Sequence, residues 1–174
     1  MLNFVGSSLL LGVDTACACG AIRVHIREDG VKWQLPIAFA LCDGLSSFLG
    51  SVVRVGLAVD RSVAPAVTLA AYVVATGMLL IIAKWPGEEQ GSWLRRAMTL
   101  VAVPLLLGTD NFFAGKALLA SFAPATLAVM TGAISYVMSL LGLMLGSIIH
   151  ARLRRFAWGV LASVVLLAIA RIVA

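Results

Sequence analysis

Charge is the scarcest property of this sequence. Only 12% of its 174 residues are Asp, Glu, Lys or Arg, about half the roughly 25% of a soluble domain. So few charges cannot solvate a whole globular surface, which argues against an ordinary soluble fold. Histidine is nearly absent, with His25 and His150 alone, and neither HExxH nor GxSxG occurs. The usual zinc-hydrolase and serine-hydrolase arrangements are thereby removed. The three cysteines, Cys17, Cys19 and Cys42, form no CxxC pair, so a structural zinc site or a thioredoxin-like motif is not suggested. Alternating polar and apolar runs of the transmembrane-barrel type are missing. Long low-complexity tails and soluble domains are missing too. The net charge of +5 is not gathered on one face, so nucleic acid is not an expected partner. No enzyme chemistry and no cofactor are suggested.

What is present is apolar: 61% of the residues are hydrophobic. Six stretches, about 3–22, 35–54, 63–83, 97–119, 124–149 and 156–173, are long enough or nearly so to cross roughly 30 Å of hydrocarbon as helix. The expected fold is an all-α membrane protein of six transmembrane helices. The first stretch does not read as a signal peptide. No basic residue precedes it, and Asp14 interrupts it.

The sequence is also duplicated. LLLGVD, Leu9 to Asp14, returns as LLLGTD, Leu105 to Asp110, 96 residues later. At the same offset Leu49-Gly50-Ser51 matches Leu145-Gly146-Ser147. Residues 1–83 thus form a first three-helix repeat, 84–96 a linker, and 97–174 a second repeat. An odd number of spans per repeat makes the two repeats enter the membrane in opposite directions, the inverted plan that recurs among secondary transporters. Spans one and four, which carry the LLLG motif, are expected side by side and antiparallel at the centre.

Basic residues give the orientation. Arg23, Arg27, Lys32, Lys84, Arg95, Arg96, Arg152, Arg154 and Arg155 fall in loops on one side, against Arg54, Arg61, Lys116 and Arg171 on the other. The positive-inside rule places the larger group in the cytoplasm and both termini outside. Trp33, Trp85, Trp93 and Trp158 lie at the same cytoplasmic ends, where interfacial tryptophan is favoured.

Three of the eight acidic residues lie inside spans: Asp14, Asp43 and Asp110. A charge at that depth costs at least about 2.5–3.5 kcal/mol, which marks the three as an ion or proton site. At about 1.5 Å per residue they sit roughly 12–20 Å from the cytoplasmic ends, close enough to the midplane to converge. Ser139 stands at the repeat position of Asp43, and Asn111 follows Asp110. Two carboxylates from one repeat would face a carboxylate, an amide and a hydroxyl from the other. Hard divalent cations take such oxygen sets. Around this core stand Thr15, Thr109, Cys17 and Cys42, where a thiolate would favour softer ions. Lys116 reads either as a snorkelling base or as a counter-ion for an empty site. Gly142 with Gly146, and Ser46 with Gly50, form small-xxx-small pairs suited to close helix crossing or to a homodimer face.

These motifs resemble the manganese efflux pumps of MntP type, in the LysE-type exporter superfamily. Asp14 begins DTACACG, similar to the MDAFAVS of the family's first span. AFALCDGLSSFLG places Asp43 where that family's second span usually has glutamate. GTDNFFAG around Asp110 is similar to SLDAMAVG, and SYVMSLLGLMLGS, residues 135–147, resembles the fifth span. Thr15 and Asn111 replace an alanine after each aspartate, and Lys116 departs from the pattern. The Asp-Asn pair also resembles the tellurium- and cadmium-resistance branches. The resemblance implies a bacterial plasma-membrane exporter of a divalent cation, Mn²⁺ first, by proton-coupled alternating access. Its partners would be lipid, the cation and protons. The rival readings are export of another small solute, such as an amino acid held through Lys116, and a membrane assembly or scaffold subunit.

Overall fold

The computed structural model describes the backbone of residues 2–25, 29–53, 63–84, 92–118 and 123–152, with side chains for most of them. All secondary structure among the described residues is helical. Helix α1 is Leu2–His25, α2 is Asp29–Val52 and α3 is Val63–Lys84. The fourth helix is built in pieces: α4 (Ser92–Ala97), a π turn (Met98–Ala102), α5 (Val103–Leu107) and α6 (Thr109–Leu118). Helix α7 is Pro124–Arg152. The first five predicted spans each find a helix. The sixth, 156–173, lies outside the described residues, as do linker residues 85–91, Trp85 and Trp158. Helix α2 starts earlier than expected and takes in Lys32 and Trp33, with Pro36 inside it.

The break in the fourth helix comes from Pro104. Proline brings no N–H, and its ring crowds the carbonyl four residues back. The backbone relaxes by one wide turn, in which the Val103 N–H bonds the Met98 carbonyl, a π-type closure. Gly108 closes α5, donating to the Pro104 carbonyl at 2.9 Å, and the Phe112 N–H bonds the Gly108 carbonyl at 3.2 Å. The rod therefore continues through the break. Gly108 leaves room there: an added Cβ would stand 3.0 Å from both Asp43 Oδ1 and Ser46 Oγ, and those side chains would have to give by a few tenths of an ångström.

Close approaches of backbone to backbone fix the packing. Helix α7 lies along α1, where a Cβ on Gly142 would fall 2.1 Å from the Ala16 carbonyl oxygen, and one on Gly146 2.6 Å from that of Gly20. The pairing rises together along both helices, so they run the same way. Helix α2 lies along α6 in the same sense, with Gly50 against the Phe112 carbonyl and Gly108 against Ser46. Helices α2 and α7 cross antiparallel through Gly44, Gly132 and the carbonyls of Ala40 and Ala128. The small-residue pairs read from sequence are thus used for helix packing within the chain. The central pair is α2 with α7, not spans one and four as expected. Glycine decides this, because α2 and α7 carry the small residues that let backbones touch at the middle. Spans one and four meet only lightly, through α5.

Helix α3 packs on α5 and the flank of α1. Leu35, Phe39, Ile22, Leu79, Ile82, Val103 and Leu107 form one buried apolar cluster. It fills the end of the bundle toward which α1 and α3 run out and from which α2 and the fourth helix start. Large apolar residues elsewhere face outward: Ile37, Leu41, Leu45 and Leu49 on α2, and Val129, Val137, Leu141, Met144 and Ile148 on α7. Lys32–Val52 and Pro124–Ile148 are each long and apolar enough to cross a membrane, while Ala66–Ile82 is shorter.

Candidate functional site

The two LLLG motifs deliver their aspartates to one place. Asp14 and Asp110 are 4% and 8% exposed. In each, Oδ1 accepts the N–H of the following residue, Thr15 or Asn111, at 2.7 Å. Each Oδ2 then meets the same group, the Tyr72 hydroxyl of α3. Tyr72 bonds Asp14 Oδ2 and stands 3.2 Å from Asp110 Oδ2. One phenol thus joins the matching carboxylates of both repeats.

The residue after each aspartate turns elsewhere. Successive residues of a helix point about 100° apart, so Thr15 and Asn111 face α2 while the aspartates face α3. Both reach Asp43, which is 1% exposed. Thr15 Oγ1 lies 3.4 Å from Asp43 Oδ2, the Asn111 side chain lies beside the same carboxylate, and Ser135 Oγ of α7 donates to Oδ2. The three span carboxylates therefore sit in two linked groups. Asp14 and Asp110 meet on Tyr72. Asp43 lies among hydroxyls and an amide, tied to the first group through Thr15 and Asn111. Among the described residues, no three of His, Cys, Asp and Glu stand close enough together to hold one metal ion in this conformation.

The other sequence candidates divide. Ser139 is fully buried one turn after Ser135, and its Oγ has no hydrogen-bond partner among the described residues. Ser47, one turn after Asp43 on α2, is buried in the same condition. Thr109 turns its hydroxyl back toward the Leu105 carbonyl, 3.5 Å away, and not into the cluster. Cys17 and Cys42 are half-buried and form no disulfide among the described residues. Lys116 lies in α6, and its side chain is outside the described set.

Three participants were missed in the sequence. Tyr72 carries no motif, and its counterpart at the repeat offset is Ala168, so the duplication gave no hint. Ser135 was hidden among the small residues of α7, although its spacing of four from Ser139 places both on one face. Cys19, fully buried, is farther in sequence from the aspartates than Cys17 and Cys42, so spacing does not single it out. Comparison with family models, with curated proteins and with solved structures gave no match for this chain.

Proposed function

We propose that the chain is a membrane exporter of a divalent metal cation, with Mn²⁺ the first ion to test. It would work in the bacterial plasma membrane, by proton-coupled alternating access between two inverted repeats. The observation that carries this reading is the burial of Asp14, Asp43 and Asp110 inside a bundle whose outer faces are apolar. A soluble protein arranges these the other way round. In lipid, carboxylates at depth face the bundle interior and mark ion pathways. The packing supports the inverted plan. Helix α1 lies on α7 as the fourth helix lies on α2, and α2 crosses α7 between them. That is the pattern a two-fold axis in the membrane plane would give.

In this mechanism the cation enters from the cytoplasm and displaces hydroxyl and amide contacts from the carboxylates. Asp14, Asp43 and Asp110 supply charge, and Asn111 and Ser139 supply neutral oxygens. Protons arriving from outside then neutralise the carboxylates and release the ion. The test is metal accumulation in a host lacking its own exporters. Asp14→Asn and Asp110→Asn should each lower export by about tenfold or more, in the range typical of damaged metal sites, with expression unchanged. Full Mn²⁺ export by the double variant would remove the carboxylate mechanism and favour an assembly role.

A further inference from the structure

Two fully buried polar groups meet one turn away from Asp43. Cys19 stands four residues after Thr15 on α1, and Ser139 four residues after Ser135 on α7. Thr15 and Ser135 both reach Asp43 Oδ2. Helices α1 and α7 run the same way, in contact through Ala16 with Gly142 and Gly20 with Gly146. Their next turns therefore bring Cys19 and Ser139 together. Both are 0% exposed. The thiol lies beside the Ser139 hydroxyl but outside hydrogen-bond geometry, so Ser139 Oγ is left without a partner among the described residues. A buried polar atom with no partner calls for an explanation, and a role as a ligand supplies one.

We propose that Cys19, Ser139 and Asp43 form a binding station for a thiophilic divalent cation, of the Zn²⁺ and Cd²⁺ class, within the export path. The proposal rests on the exporter reading and gives its site a substrate class. Helix α1 supplies a soft sulfur, α7 a hydroxyl and α2 a carboxylate. Thiolate ligands select zinc-like ions over Mn²⁺ and Mg²⁺, which prefer all-oxygen sets. The surroundings agree with this choice. Cys19 packs within the apolar cluster of Ile22, Leu35 and Phe39, where a strongly hydrated hard ion gains little. Binding exchanges the thiol proton for the cation: the S–H bond breaks, the metal–sulfur bond forms, and one proton is released per ion.

The experiment uses the purified full-length protein and Cd²⁺ alone. A cadmium–thiolate bond gives an ultraviolet charge-transfer band. The band should appear on titrating the unmodified protein and persist in Cys17→Ser and in Cys42→Ser. It should vanish in Cys19→Ser, and Ser139→Ala should weaken the apparent Cd²⁺ affinity by about tenfold. In cells, Cys19→Ser should lower Cd²⁺ export relative to Mn²⁺ export by a similar factor. No band in the unmodified protein, or a band that survives Cys19→Ser, overturns the station. Because the first measurement needs no variant, a misfolded substitution cannot rescue the idea. The two readings also fail separately. A band without export of either ion removes the exporter and keeps the station, whereas Mn²⁺ export without a band removes the station and keeps the exporter.

Discussion

Tyr72 shows how one residue can join two halves of a chain. Its hydroxyl has a single hydrogen and two carboxylate neighbours, Asp14 and Asp110, one from each repeat. It stands where a cation bridging the two would compete with it. Tyr72→Phe keeps the ring and its packing and deletes only the oxygen. Export by this variant should show a changed half-saturating Mn²⁺ concentration, by about tenfold, with expression unaltered. Tyr136→Phe, on the outward face of α7, is the comparison. Equal kinetics in the two variants would reduce Tyr72 to a packing residue. The aspartates were legible in the sequence because a carboxylate in an apolar run is costly and repeats at a fixed offset. Tyr72 was not, because a tyrosine in an apolar helix is an ordinary core residue and has no partner in the second repeat.

At the scale of helices, each of the first five apolar stretches holds a helix, α2 starting at Asp29 and the fourth helix at Ser92, earlier than the stretches themselves, but hydropathy did not show how they meet. Hydropathy reports that a segment is apolar. It does not report which face touches which neighbour. The break at Pro104 was visible as a proline in a span, yet its form, a π turn followed by Gly108, depends on how the freed carbonyl is satisfied. Glycine spacing marked Gly142 and Gly146 as a packing face. Their partner, α1, could not be read, and the expected central pairing of spans one and four gave way to α2 with α7. The contact itself makes a prediction. A Cβ at Gly142 would fall 2.1 Å from a backbone oxygen of α1, which no rotamer change relieves. Gly142→Val should destabilise the protein by about 1–3 kcal/mol or more, the usual range of overpacking, seen as a lower melting temperature in detergent. Gly77, mid-helix in α3, has nothing within 4 Å of its added Cβ. Gly77→Ala should therefore be neutral or stabilising by up to about 1 kcal/mol. The opposite ranking would mean that the α1–α7 contact is not maintained in the bilayer.

At the scale of the whole molecule, two described helix pairs, α1 with α7 and α6 with α2, match in direction but differ in register. On α1 and α7, Ala16 lies against Gly142 and Gly12 against Met138. Moved by the 96-residue offset, these contacts would place Phe112 against Ser46 and Gly108 against Cys42. The second pair of helices instead has Phe112 against Gly50, one turn further along α2, while Gly108 stands equally near Asp43 and Ser46. Inverted repeats that alternate access exchange their conformations between the two states, and one-turn slips of packed helices are a known form of switching. The alternate state is then expected to bring Phe112 level with Ser46, while Ala16 moves toward Gly146. The apolar cluster around Phe39 and Leu35 fills the end predicted to face the cytoplasm, so under the exporter proposal this arrangement would be the one closed on that side. Cysteines placed at Ser46 and Phe112, with the native cysteines replaced by serine, should cross-link slowly through a short bifunctional reagent in membranes without metal. The rate should rise when Mn²⁺ is supplied from the cytoplasmic side, and Asp110→Asn should cancel that rise. Serine at position 19 removes the thiol station, so Mn²⁺ is the ion to use here. A cross-linking rate indifferent to both the ion and the Asp110 charge would show that the register difference is a fixed asymmetry of the fold and not a step in transport.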